Sequence, residues 1–142
     1  MATDIEKRVS GIKAGTRLRL RIVSLTYCAN GAICAIRIVR TKRYSKDLRR
    51  LRLSEAEIAA LEFAVANDPL SGDVIPGLEG LRKLRFAMGN RGKRGGGRAI
   101  YYLLLSDDVA IMITAYAKSE QADLSPDQKR AVLQMIRELK NG

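Results

Sequence analysis

From residue 35 onward the spacing of apolar positions changes in a regular way along the chain. The run AIRIVRT (35–41) is rich in β-branched residues and predicts a strand. In YSKDLRRLRL, Tyr44, Leu48 and Leu51 fall on one helical face. A second helix has a defined start, with Ser54 and Glu57 at the spacing of a capping box. Ile58, Leu61 and Val65 form its stripe, and Pro69 stops it. PLSGDVIPGLEG, punctuated by Pro and Gly, predicts an ordered loop. The period then drops to two. In GLRKLRFA, Leu84 and Phe86 point to one side and Lys83 and Arg85 to the other. RAIYYLLL (98–105) is apolar almost throughout, as a strand covered on both faces must be. SDD turns the chain into VAIMITAYA (109–117), so the three runs predict an antiparallel meander. A last helix starts at Ser125 as N-cap, with Pro126 at its first position and Gln128 completing the box. Val132, Ile136 and Leu139 are its stripe.

The expected fold is α+β: a small, antiparallel-rich sheet with two helices ahead of the meander and one after it. Residues 1–34 fit this plan less well. RLRLRIV alternates like an edge strand but has no sequel to bury it. We therefore expect residues 1–34 to be an extension the core does not need and residues 35–142 to be the folded unit.

With 142 residues, 46% of them hydrophobic and 29% charged, the chain has material for one core. Its net charge of +11 changes the picture, because a polyanion becomes the expected partner. Residues 1–53 hold 14 Lys or Arg against 3 Asp or Glu, whereas residues 54–142 hold 12 of each. Within that balanced part, seven cations crowd into residues 82–98 without one carboxylate. With 0 His, imidazole is excluded as base, nucleophile partner or metal ligand. Cys28 and Cys34 are too few for a structural zinc site and read as small apolar residues of a reduced protein. No cofactor or metal is expected. No apolar run approaches the ~18 residues of a membrane span, and no secretory h-region opens the chain, so a cytoplasmic location is expected.

A charge run is most often a solvated surface. Here strand parity says more. Lys83 and Arg85 share one face of a strand, Arg98 opens the next, and Tyr116 and Lys118 share parity at the end of the third. Like charges on neighbouring strands repel, so their convergence points to a bound anion, a phosphate above all. A phosphate loop of the GxxxxGK[ST] type does not fit, because Arg94 stands where the hydroxyl residue belongs. RGGGR alone suits a disordered RNA binder, but regular strands flank it on both sides.

The stretches TKRYSKDLRRL, LSEAEI, GDVIPGLEGLRKLRFA, RGKRGGGRAIYY and YAKSEQADLS follow one another in the order of a known family. From Ile36 to Leu139 the chain resembles the RelE/ParE superfamily of bacterial type II toxins, and most of all its HigB-like branch. The resemblance implies two N-terminal helices packed on a small sheet and a concave basic face. It also implies an antitoxin partner with a helix-turn-helix domain. RelE and HigB members cleave messenger RNA on the ribosome, and ParE members poison DNA gyrase.

Carried over residue by residue, Lys83 and Arg85 match the family's two basic residues on a strand. Arg98 matches the Arg before an apolar-aromatic strand, and Lys118 the basic residue after the last strand. The family tyrosine leading into the final helix has no counterpart, since Leu124 and Ser125 stand there. The expected activity is a ribosome-dependent, metal-independent RNA endonuclease that inhibits translation, with Lys83, Arg85 and Arg98 catalytic. In it Arg85 and Arg98 hold the phosphate in guanidinium forks and Lys83 is the candidate general base. Arg91, Lys93, Arg94, Tyr102, Tyr116 and Lys118 are expected to hold RNA. Two other readings stay open: a ParE-like gyrase inhibitor that cleaves nothing, and a non-toxic nucleic-acid-binding protein.

Overall fold

The structure, a computed structural model, describes residues 20–26, 36–89, 96–104 and 109–141. Its elements run β1 (Leu20–Thr26), β2 (Arg37–Thr41), α1 (Lys42–Arg50), α2 (Glu55–Asn67), β3 (Asp73–Val74), β4 (Arg82–Phe86), β5 (Gly97–Leu104), β6 (Val109–Ala117) and α3 (Pro126–Asn141). The strands form one six-stranded mixed sheet in the order β1-β2-β6-β5-β4-β3. β4, β5 and β6 make the antiparallel meander that their alternation predicts. β2 lies parallel to β6. Such a pair needs a long crossover, and the helices and first two strands of the meander supply it.

Each face of the sheet has its own core, because neighbouring strand residues point opposite ways. Ile38, Ala99, Tyr101 and Met112 pack against Tyr44 and Leu48 of α1 and Leu61 and Val65 of α2. Val39, Ile100, Ile111 and Ile113 pack against Val132, Met135, Ile136 and Leu139 of α3. β5 and β6 are buried almost end to end, as central strands covered on both sides.

Local sequence sets the helix ends. Ser54 Oγ accepts from Glu57 N (3.2 Å) and Glu57 Oε1 accepts from Ser54 N (3.3 Å), completing the expected box. Ser125 and Gln128 repeat the pattern at α3, with bonds of 2.8 and 3.2 Å. α1 is capped by Thr41, whose Oγ1 accepts from Tyr44 N (3.1 Å) while donating to Ile113 O (2.9 Å).

In two places the architecture adds to the sequence reading. The stretch read as a loop contains β3, two residues paired with Lys83 and Arg82. Arg82 secures it by donating to Gly72 O (2.7 Å) and Leu70 O (3.2 Å), a side-chain role that alternation does not reveal. The alternating segment near residue 20 is taken up as β1, antiparallel to β2 at the sheet edge. Cys28, Cys34 and the SDD turn lie outside the described residues.

Beyond the Arg40–Met112 pair, β2 leaves β6, and side chains take over its work along the edge of β6 that it no longer covers. Thr41 donates to Ile113 O as above. Asp47 Oδ2 accepts from Thr114 Oγ1 (2.7 Å) and Ala115 N (3.2 Å), and Arg50 Nη2 donates to Ala115 O (3.3 Å). Glu120 Oε2 accepts from Ala117 N (3.3 Å). Groups that a neighbouring strand would satisfy are thus met by α1 and the following turn.

Candidate nucleic-acid interface

Leu84 and Phe86 of β4 face the α1/α2 core, which leaves Lys83 and Arg85 on the α3 side of the sheet. Across the ladder Arg85 stands opposite Arg98, and Arg98 stands opposite Tyr116. These three therefore form one cross-strand row, with directly opposed Cβ atoms about 5 Å apart. Lys83 sits two residues along, opposite Ile100.

Tyr116 joins the row only because β6 carries an irregularity. Ile100 pairs with Thr114 while Tyr101 pairs with Met112, so Ile113 is an extra residue. Val109, Ile111 and Ile113 face α3, and unbroken alternation would send Tyr116 to the other side. The inserted residue resets the parity and brings Tyr116 into the α3-side core, beside Arg98. On β5, a Cβ on Gly97 would lie 2.3 Å from the Phe86 ring, so glycine there lets β4 and β5 close up where Arg85 and Arg98 meet.

The electrostatics of the row are lopsided. Arg98 is only 7% exposed, and its Nη1 donates to Gly97 O at 3.1 Å. Among the described residues no carboxylate forms an ion pair with Arg98, Arg85 or Lys83, although Asp73 of β3 stands opposite Lys83 in the ladder. Tyr116 is 2% exposed, and its hydroxyl finds no hydrogen-bond partner among the described residues. Burial, with the negative charge of Asp123 nearby, pushes its pKa above the ordinary 10.0, while Arg98 pulls the other way. The phenol is therefore a protonated donor at neutral pH. A buried donor without an acceptor beside buried and exposed guanidinium groups suits an anion with several oxygens.

The remaining expected residues divide. Lys118 is exposed at the end of the row, its backbone N–H bonded to Gly96 O (3.1 Å). Tyr102 lies in the α3-side core, four residues from Arg98 along β5, or about 13 Å at the strand rise. Arg91, Lys93 and Arg94 lie outside the described residues. Sequence reading passed over Asp123, whose carboxylate acts on Tyr116, and Asp47, whose bonds fix the strand carrying it. Asp47 stands in the quoted stretch TKRYSKDLRRL, but only the ladder shows what it faces.

The chain is a small α+β protein whose described cations Lys83, Arg85 and Arg98 gather on one margin of the sheet, with no ion pair to a carboxylate among the described residues. Residues 36–141 match the family described as RelE toxin of RelE / RelB toxin-antitoxin system. The chain belongs to that family. It is a toxin of a toxin-antitoxin system, and its partner is an antitoxin. The matched span begins at the residue before β2 and takes in every element but β1. Among the described residues, no helix is long and apolar enough to cross a membrane.

Proposed function

We propose that this toxin is a messenger RNA endonuclease of the HigB-like kind, acting on the ribosome in the cytoplasm and restrained by an antitoxin with a helix-turn-helix domain. The observation that carries the reading is the row of Arg85, Arg98 and Tyr116 with Lys83 beside it, donors gathered on one face, where no carboxylate is ion-paired with either arginine among the described residues. In the reaction, the ribose 2′-oxygen forms a bond to the adjacent phosphorus as the bond from phosphorus to the 5′-oxygen breaks. The products are a 2′,3′-cyclic phosphate and a 5′-hydroxyl. Lys83 is the group that takes the 2′-hydroxyl proton, and solvent water supplies the proton that the departing 5′-oxygen gains. Arg85 and Arg98 hold the phosphoryl oxygens, whose negative charge grows in the transition state, and the Tyr116 hydroxyl donates to the same group. Fixed cations in a partly dry site stabilise that charge far better than water does, because they need no reorganisation. Arg91, Lys93, Arg94 and Lys118 grip RNA backbone, and Tyr102 supports the strand from within the core.

The test is to induce the chain in a bacterium and map both RNA 5′ ends and gyrase-linked DNA breaks. New 5′-hydroxyl ends within translated messages are expected, suppressed when the neighbouring antitoxin is co-expressed. Gyrase-linked breaks without RNA ends would establish the ParE-like reading instead.

A further inference from the structure

The residues that meet the row are on β4, β5 and β6, yet the bonds that fix the last of these strands come from elsewhere. Asp47, on the far side of the sheet, accepts from Thr114 Oγ1 and Ala115 N, the two residues next to Tyr116 and just past the inserted Ile113. Arg50 pairs with both Asp47 (3.4 Å) and Glu120, and donates to Ala115 O. Glu120 in turn accepts from Ala117 N on the other side of Tyr116. The backbone on both sides of Tyr116 is therefore held by this one chain of charges. Loss of the bulge, with β6 pairing in unbroken register, would return Tyr116 to the opposite face, since strand side chains alternate.

We propose that Asp47, supported by Arg50 and Glu120, is a positioning residue of the basic row. It locks the β6 bulge in the register that sets the Tyr116 hydroxyl beside Arg98. The inference rests on the endonuclease reading for its kinetic consequence, but not for its structural one. Asp47 touches no substrate and acts through Tyr116. Its removal lowers the rate of the bound complex more than it lowers binding, because misplacing a reacting or donor group by about 1 Å costs up to about a hundredfold.

The experiment uses the full chain with Asp47→Ala and Asp47→Asn, each alone and combined with Tyr116→Phe. Two quantities are measured: single-turnover cleavage of ribosome-bound message, and the ¹³C-tyrosine signal of Tyr116, assigned by its loss in Tyr116→Phe. Asp47→Ala is expected to slow the maximal rate by about tenfold or more, with the half-saturating ribosome concentration within about twofold, and to shift the Tyr116 signal. In the Tyr116→Phe background the same change should cost less than about twofold, the mark of two residues acting as one unit. Asp47→Asn retains an acceptor oxygen for Ala115 N–H and should recover most of the rate. Ser54→Ala, which removes the α2 cap, controls for lost stability and should leave the rate per folded molecule unchanged.

Equal losses in both backgrounds, an Asn variant as slow as the Ala variant, or an unmoved Tyr116 signal would each overturn the proposal. A native chain that cuts no RNA would sink the endonuclease reading alone, because the Tyr116 signal in Asp47→Ala and Asp47→Asn still decides whether Asp47 sets the register.

Discussion

Arg40 and Arg98 both rise from interior strands of the sheet, one on β2 and one on β5, and their surroundings are opposite. Arg40 meets Glu62 of α2 as a fork, with Nε to Oε1 at 2.6 Å and Nη2 to Oε2 at 3.0 Å. The arginine side chain is 23% exposed and the carboxylate 0%. Arg98 is more buried than Arg40 is, yet its described bond is to a neutral carbonyl. Burying an unpaired charge is costly, and the fold pairs Arg40 with a carboxylate while none pairs with Arg98 among the described residues; on the function proposed above, Arg98 is held for an anion from outside.

The largest effect should come from breaking the paired side. Glu62→Ala leaves Arg40 facing a buried gap and should lower unfolding free energy by about 3 kcal/mol or more, the scale of orphaning one partner of a buried pair. Chemical denaturation measures this, and cleavage per folded molecule should stay close to native. A loss below about 1 kcal/mol would mean that the pair is solvated enough to be worth no more than a surface bridge.

Removing the unpaired charge should do the reverse. Arg98→Ala or Arg85→Ala should raise the barrier to cleavage by about 2 kcal/mol or more, the scale of losing one preorganised donor. Stability should hold or improve as the cross-strand repulsion disappears. Arg85→Lys keeps the charge but not the fork, so a marked rate defect is expected if the guanidinium grips two phosphoryl oxygens. Single-turnover rates beside thermal midpoints separate the two outcomes. A destabilised Arg98→Ala with native turnover would collapse the contrast with Arg40.

A smaller effect is expected at the sheet edge. β1 adds a ladder to β2 at the edge of the sheet, and residues 36–141 supply a core cluster on each face. We therefore propose that a chain beginning at Ala35 keeps the toxin fold, with a loss of unfolding free energy short of the about 3 kcal/mol that a packed element contributes. Thermal unfolding of the shortened chain is the measurement. A larger loss would make β1 integral.

The features that sequence made legible are those decided locally. Ser54 with Glu57 and Ser125 with Gln128 announce their helices because each box closes within four residues. Alternation in β4 placed Lys83 and Arg85 on one face because Leu84 and Phe86 between and beside them are apolar. What depends on distant partners was hidden. β6 is buried along its whole length, so apolar residues on both faces conceal the extra residue at Ile113. Glu62 reads as a polar helix position until Arg40, from another element, is set against it. The contacts between β2 and β6 likewise join segments 72 residues apart, as in the bond from the Thr41 side chain to Ile113 O, and no local period carries that information.

The carboxylate paired with Arg40 also responds to acid differently from the surface carboxylates Glu57 and Glu120, and here direction is the test. Burial raises the Glu62 carboxyl above its ordinary 4.5, and Arg40 offsets only part of that rise. A raised carboxyl binds its proton more readily folded than unfolded, so it favours the native state as pH falls through the folded value, and below 4.5 the gain is complete. Glu120 and Glu57 behave oppositely. The bond from Arg50 lowers the first, and the backbone N–H of Gly89 lowers the second. The stability each contributes is present above 4.5 and is lost as pH falls through its lowered folded value. Glu62→Gln removes only the first titration. The difference in unfolding free energy between native and Glu62→Gln proteins should therefore grow in favour of the native chain as pH is lowered from 7 to 4.5, then level off, while Glu120→Gln should fall behind above 4.5 and draw level in stronger acid. Denaturation curves collected across that range decide the matter. A gap for Glu62→Gln that narrows on acidification would mean that Arg40 outweighs burial and holds Glu62 ionised, in which case the paired arginine is bound to a true carboxylate throughout and the contrast with Arg98 is stronger still.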